Sequence, residues 1–352
     1  MRFPNVRPLC HRFAKVFGFL IAAHLITPIG VSAAPALDPI DRIRLAEFYR
    51  MNQILGDSIW PGWKKVPDAV LLICDSAEYL IRHPAPPAQF KSLGYDSLLA
   101  ADVLWRPRVL PAHLLSTSPG MGGVATIMIG RAESTQSKAS TPWVITLAHE
   151  HFHQWQMSQP WYYRSVDSLR LSSGDRTGMW MLNYPFPYDS EEFGDMFSAL
   201  CRQLSVLLQT ENADSLRARL RAYLSERERF QTNIKPADDR YFSFQVWQEG
   251  IARYVEWKIT ELAARNYKPS DAFIALPDYE PFEAVAQRFR QNFFKELTTQ
   301  KLSESKRVAF YAFGAAEGMI LSNLLPGWPT RYNKERFSVE RLLQMAVDGM
   351  QR

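Results

Sequence analysis

The chain has 352 residues, 47% of them hydrophobic and 13% aromatic, which suits one large domain or two tightly joined ones around a well-buried core. Its formal charge is +5, but four basic and no acidic residues fall in the first 33, leaving the remainder at about +1. There is no basic stripe, nucleic-acid reader motif, internal repeat or low-complexity tract, which argues against nucleic-acid binding, repeat architecture and disorder.

Residues 1–33 read as a secretory signal peptide. Arg2, Arg7, Arg12 and Lys15 form a basic start, Val16 to Ile29 is mostly apolar, and Val31-Ser32-Ala33 before Ala34 is a small-residue cleavage site. An uncleaved anchor is the alternative, but the apolar run is short and broken by His24 and Pro28. No later stretch is long and apolar enough to cross a bilayer. The expected location is therefore periplasmic or secreted, in a bacterium, with no stable membrane insertion once the leader is gone. Of three cysteines, Cys10 leaves with the leader. Cys74 and Cys201 could pair in an oxidising compartment, but two do not make a disulfide framework.

Downstream, Asp38 to Leu55 has helical spacing, with Ile40, Ile43, Leu45, Phe48, Tyr49, Met51 and Leu55 recurring. Ala69–Cys74 and Glu78–Arg82 read as two strands joined through Asp75-Ser76. Val103–Trp105 and Arg108–Leu110 suggest a second hairpin around Arg106-Pro107, and Val124–Ile129 is the clearest strand. A polar loop from Glu133 to Thr141 leads to a helix, with Ser140 or Thr141 as caps and Pro142 in the first turn.

That helix carries His149-Glu150-x-x-His153. Residues four apart on a helix lie one turn above each other, so the two imidazoles can hold one metal ion. Glu150 stands beside them to accept a proton from the attacking water. Zinc binds neutral imidazole and keeps an open position, and lowers the pKa of a bound water from about 15.7 to about 7. His151 points elsewhere and reads as a packed or hydrogen-bonded core histidine.

A catalytic zinc needs a third protein ligand. The longer pattern H-E-x-x-H-x-x-G-x-x-H fails, because Gln156 holds the glycine position and Gln159 the third histidine's. His83 and His113 are upstream and in unrelated contexts. A carboxylate is then expected, and the best candidate is Glu249 in Trp247-Gln248-Glu249-Gly250-Ile251-Ala252, with Glu192 and Glu317 as fallbacks. The alternative for Glu249 is a surface helix pair with Arg253. Glu256, one helical repeat on, is either a partner for a ligating histidine or a surface charge. Tyr254, Arg253 and Tyr311 are the candidates for stabilising a transition state.

With these two short motifs the chain resembles the gluzincin class of zinc metallopeptidases, the thermolysin-like and aminopeptidase-like group. The resemblance implies zinc on His149, His153 and Glu249, with Glu150 as general base. It also implies a β-sheet before the motif helix, whose edge strand pairs with an extended peptide or protein substrate. Val124–Ile129 is the candidate for that strand, an ordinary buried strand being the other reading.

After the motif, 159–187 is irregular, and helices are expected over 190–209, 213–230, 241–265, 281–297, 306–325 and 339–350. Strands first and helices later indicate an α+β fold. The expected organisation is a leader (1–33) and a single zincin-like metallohydrolase domain (34–352). A small antiparallel sheet lies in 34–140 and a helical part in 141–352, with a zincin-like active-site helix. The function expected is an exported zinc-dependent hydrolase, a metallopeptidase. The alternative is a catalytically silent zincin-like metal-binding protein or a cell-envelope binding protein. Intact-mass analysis of the exported protein should find its N-terminus at or next to Ala34; a retained leader in the membrane fraction would favour the anchor.

Overall fold

The structure, a computed structural model, describes residues 35–349. The leader expected over 1–33 lies outside them. The chain enters through α1 (Pro39–Ile59), with Pro39 at the first helical position and the Asp38 side chain accepting from the Ile40 N–H at 2.8 Å. Six strands follow: β1 (Val70–Ile73), β2 (Ala77–Ile81), β3 (Lys91–Asp96), β4 (Ala101–Pro107), β5 (Leu115–Met121) and β6 (Val124–Gly130). Then come α2 (Ser140–Met157), α3 (Tyr162–Ser168), α4 (Trp180–Asn183), α5 (Glu191–Leu208), α6 (Ala213–Asn233) and α7 (Pro236–Gln245). A π-turn, Val246–Gly250, runs straight into α8 (Ile251–Asn266). The rest is α9 (Asp271–Ile274), α10 (Phe282–Thr299), α11 (Leu302–Ser305), α12 (Ala309–Leu324), α13 (Pro329–Tyr332) and α14 (Val339–Gly349). No helix among the described residues is long and apolar enough to cross a membrane.

The α+β expectation holds, with three corrections to the sheet. Its order is β3-β4-β2-β1-β6-β5. It is mixed rather than antiparallel, because β1 and β6 run parallel, Val70 opposite Ile127. β1 is buried along its whole length and needs a neighbour on each side. β2 reaches one side by a tight turn, while the long excursion through β3, β4 and β5 lets β6 return alongside the other in parallel. The second hairpin is also displaced. β4 runs through Arg106 to Pro107 and pairs with β3, the turn lying between Asp96 and Ala101. There the Asp96 carboxylate accepts from the Leu98 and Leu99 N–H groups. Pro107 ends the strand, and the Val109 and Leu110 N–H groups are taken up by the buried Glu78 carboxylate instead of a partner strand. Finally, Val124–Ile129 is an interior strand, and the edge beside it is β5.

Alternation divides the sheet's two faces. Val70, Leu72, Tyr79, Ile81, Ile127 and Ile129 join the main core with α1 and α2, while Leu71, Ile73, Leu80 and Met128 pack with Phe90 and Met121 on the other side. α2 starts without a side-chain cap of its own, contrary to expectation. Ser140 instead accepts from Arg44 at 2.8 Å and donates to Asp278 at 2.7 Å, and Thr141 donates to the Glu280 carbonyl at 2.6 Å. Arg44 also pairs with Asp41 and Glu133, so one buried guanidinium ties α1 to the start of α2. Cys74 and Cys201 are both free thiols.

Among the helices, α8 packs against α2, α10 and α12. The π-turn that precedes α8 meets α12 backbone to backbone. A Cβ on Gly314 would come within 2.7 Å of the Gly250 Cα and 2.8 Å of the Val246 carbonyl. The Gly314→Ala variant is therefore expected to lose about 1–3 kcal/mol in chemical denaturation through overpacking. Gly194→Ala in α5, where a Cβ meets nothing within 4 Å, should be neutral or slightly stabilising. Equal behaviour of the two variants would contradict the close approach.

Candidate metal centre

α2 presents His149 and His153 one turn apart, their Nε2 atoms 3.2 Å from each other. Glu249 Oε2 lies 4.0 Å from the first and 3.5 Å from the second. These three ligand atoms all fall within 4.8 Å, the only such group of three His, Cys, Asp or Glu among the described residues. Both histidines are nearly sealed, at 8% and 5% exposure. The π-turn presents two successive residues to α2. The Gln248 amide nitrogen stands 3.2 Å from His153 Nδ1 while Glu249 faces Nε2 of the same ring. Such widened turns are concentrated at functional sites.

Each ring is oriented by a partner on its other nitrogen. His149 Nδ1 meets Glu256 Oε2 at 3.1 Å, and Glu256 is in turn gripped by Arg253 at 2.6 Å. Glu256 is thus the histidine partner rather than a surface charge, and Arg253 pairs with it and with Glu296 rather than with Glu249. His153 Nδ1 meets Gln156 Oε1 at 2.8 Å. The Gln156 amide is turned that way because its nitrogen donates to the Tyr332 hydroxyl at 2.8 Å and the Gln248 carbonyl at 3.1 Å. With Nδ1–H donated in both rings, each Nε2 faces the space beside Glu249, and a ring that is neutral offers its lone pair there. That donor set of two imidazoles and one carboxylate suits zinc and leaves room for further ligands.

Glu150 is held from the sheet. The Thr117 hydroxyl on β5 donates to Glu150 Oε2 at 2.7 Å and lies 3.1 Å from the Glu150 carbonyl, leaving Oε1 unengaged. His151 points away, as expected. It is 1% exposed, bonds Gln154 through Nδ1 at 2.7 Å and packs edge-on to Trp63, and its burial lowers its pKa.

The remaining candidates separate clearly. Tyr311 stacks on the His149 ring, centroids 6.4 Å apart and 18° between planes, and accepts from Arg307 Nη1 at 2.6 Å. Tyr254 instead bonds Ser322 at 2.6 Å and packs on Trp328. Glu317 is sealed beneath Tyr223 and Arg227, and Glu192 is exposed on α5, so neither fallback reaches the histidines. His83 is structural, its Nε2 bonded to the Met121 carbonyl at 2.9 Å. Sequence reasoning missed Thr117, Gln248 and Arg307 as neighbours of the site. Gln156 carried a usable signal, since residues three apart on a helix meet.

Comparison of the chain with protein-family models, curated proteins and solved structures gives no match in any of the three.

The charges of His153 and Glu249 compensate one another. Burial works against charge on His153, but the Glu249 carboxylate outweighs it and raises the imidazole to about 9. Burial likewise opposes charge on Glu249, yet His153 and then His149 pull its carboxyl down to about 2. The pair's stabilisation is fully present between the ordinary carboxylate and imidazole pKa values, and is lost as pH rises through about 9 or falls through about 2. A zinc ion taken up there at neutral pH would then displace a proton from His153. Titration calorimetry at pH 7 in buffers of different ionisation enthalpy should show release of about one proton per ion. Heats independent of the buffer would contradict the charged pair.

Proposed function

We propose that the chain is an exported zinc-dependent hydrolase, a metallopeptidase resembling the gluzincin class, whose active-site helix is α2. The observation that carries this reading is the convergence of His149, His153 and Glu249 within 4.8 Å, with Glu150 next to them on the same helix. A purely structural metal site has no use for a carboxylate held free of the ligand set, which favours an enzyme over a silent metal-binding protein. Zinc, when held by these three residues, lowers the pKa of a water and polarises the carbonyl to be cut.

The chain's own groups account for the proton. Glu150 takes it from the attacking water and hands it to the leaving nitrogen, so the peptide bond breaks with no net proton change. Thr117 fixes one oxygen of that carboxylate and leaves the other to do this. Glu256 and Gln156 keep the ligand imidazoles in the tautomer with a free Nε2. Burial, then the adjacent Glu249 carboxylate, push the Tyr311 phenol well above its ordinary pKa, so it stays protonated and able to donate. β5, the exposed edge next to Glu150, is the strand to which an extended substrate would add.

Purified mature protein should hold about one zinc per chain, the stoichiometry of a three-ligand catalytic site. Glu150→Gln should keep the zinc, since the amide oxygen still accepts from Thr117, while hydrolysis of a mixed peptide pool falls by at least about 10²–10⁴-fold. His149→Ala should lose both zinc and activity. Near-normal turnover in Glu150→Gln would overturn the mechanism, and tight zinc without wild-type turnover on any pool would favour the silent alternative.

A further inference from the structure

We propose that Arg307 is a receptor for a substrate carboxylate, so that the site prefers peptides with a carboxylate within about one or two residues of the scissile bond. This rests on the metallopeptidase reading above and names its substrate class. The carboxylate has two sources, the free C-terminus of a short peptide or an acidic side chain, and the experiment below separates them.

Arg307 lies in the turn Lys306–Val308 that leads into α12. It is half-buried, and its one side-chain hydrogen bond among the described residues goes to the Tyr311 hydroxyl at 2.6 Å. A guanidinium has five N–H donors in a rigid fork suited to carboxylates. Nε and Nη2 make no hydrogen bond here, and neither is sealed from solvent. Every other buried or half-buried arginine among the described residues has a carboxylate within 4.0 Å. Arg307 has none. A cation partly withdrawn from water without an anion is costly unless a ligand supplies one.

Its position gives the missing anion a role. Tyr311, which anchors it, stacks on the ligand ring of His149. The Glu249 carboxylate acts on the guanidinium electrostatically, as do the Tyr311 and Tyr241 phenols, but it lies beyond ion-pair distance. With Glu249 committed to a cation, Arg307 is left without a close protein anion. A carboxylate entering beside Tyr311 would take two parallel N–H bonds from the guanidinium. The preference for an acid over its amide then comes from charge and fork geometry rather than from an apolar pocket.

The test uses N-acetylated pentapeptides ending in a free acid or an amide, each with Glu or Gln next to the end. Binding to zinc-loaded Glu150→Gln protein is measured by calorimetry, and hydrolysis with the wild type. The expected result is about 10–100-fold tighter binding of the carboxylate-bearing peptide, the span of a charge-assisted bond. Arg307→Ala should bring the ratio near one, and Arg307→Lys should keep part of it. Preference for the terminal acid assigns the C-terminus; preference for Glu over Gln in the amides assigns the side chain. Equal binding of all four peptides by protein with unaltered Arg307 overturns the proposal, and needs no Arg307 variant to fold. The two readings fail separately. Zinc and turnover without a carboxylate preference remove Arg307's role alone. An Arg307-dependent preference in protein that binds no zinc removes the peptidase reading alone.

Discussion

Two imidazoles and a carboxylate must be held within 4.8 Å of one another in a nearly sealed space, and the contact of α2 with the π-turn does this. That contact depends on the opposite side of the turn. Gly250 and Gly314 let the backbones of the π-turn and α12 touch, which brings Val246–Gly250 down as one rigid step between α12 and α2. A Cβ at either glycine would meet backbone of the other element at 2.6–2.7 Å, closer than side chains normally approach. The same packing carries Tyr311 along α12 to the face of His149.

His149 and His153 are supported by different chemistry. Behind His149 runs a charged chain, Glu256 to Arg253 to Glu296, which ends at the half-buried rim of α10. Behind His153 runs a neutral one, Gln156 to the Tyr332 hydroxyl to the Trp247 carbonyl, inside an aromatic cluster of Trp60, Phe152 and Trp155. An ionised partner strengthens the donor power of an imidazole more than an amide does. His149 is oriented by an ionised partner, and His153 by a neutral amide set within aromatic packing.

What was legible in the sequence is what local periodicity encodes. Residues four apart share a helix face, which gave His149 with His153. Glu256 lies seven residues, or two turns, beyond Glu249, and the same rule put both on the face toward α2. The edge strand was not legible. A run such as Val124–Ile129 reveals that it is buried but not which strands flank it, and a connection from β4 across to β5 decided that. The Arg106-Pro107 pair looked like a turn because nothing local shows that Glu78, distant in sequence, satisfies the N–H groups beyond it. Arg307 and Thr117 escaped for the same reason: an arginine without an anion and a hydroxyl beneath a carboxylate are tertiary facts. Tyr254 and Tyr311 were indistinguishable until α12 was seen to face His149.

The free side of β5 has a bearing on how the chain behaves in a crowded compartment. An open sheet edge accepts a strand from any source, including another copy of the same protein. Here the edge is interrupted: the register with β6 slips between Ser118 and Met121, and Pro119 has no N–H to offer. Only Leu115 to Ser118 stays in regular register before that break, a span too short to zip two copies together into a growing sheet. Filling in this irregularity, by replacing Pro119 and closing the bulge, would turn an interrupted edge into a self-adhesive one.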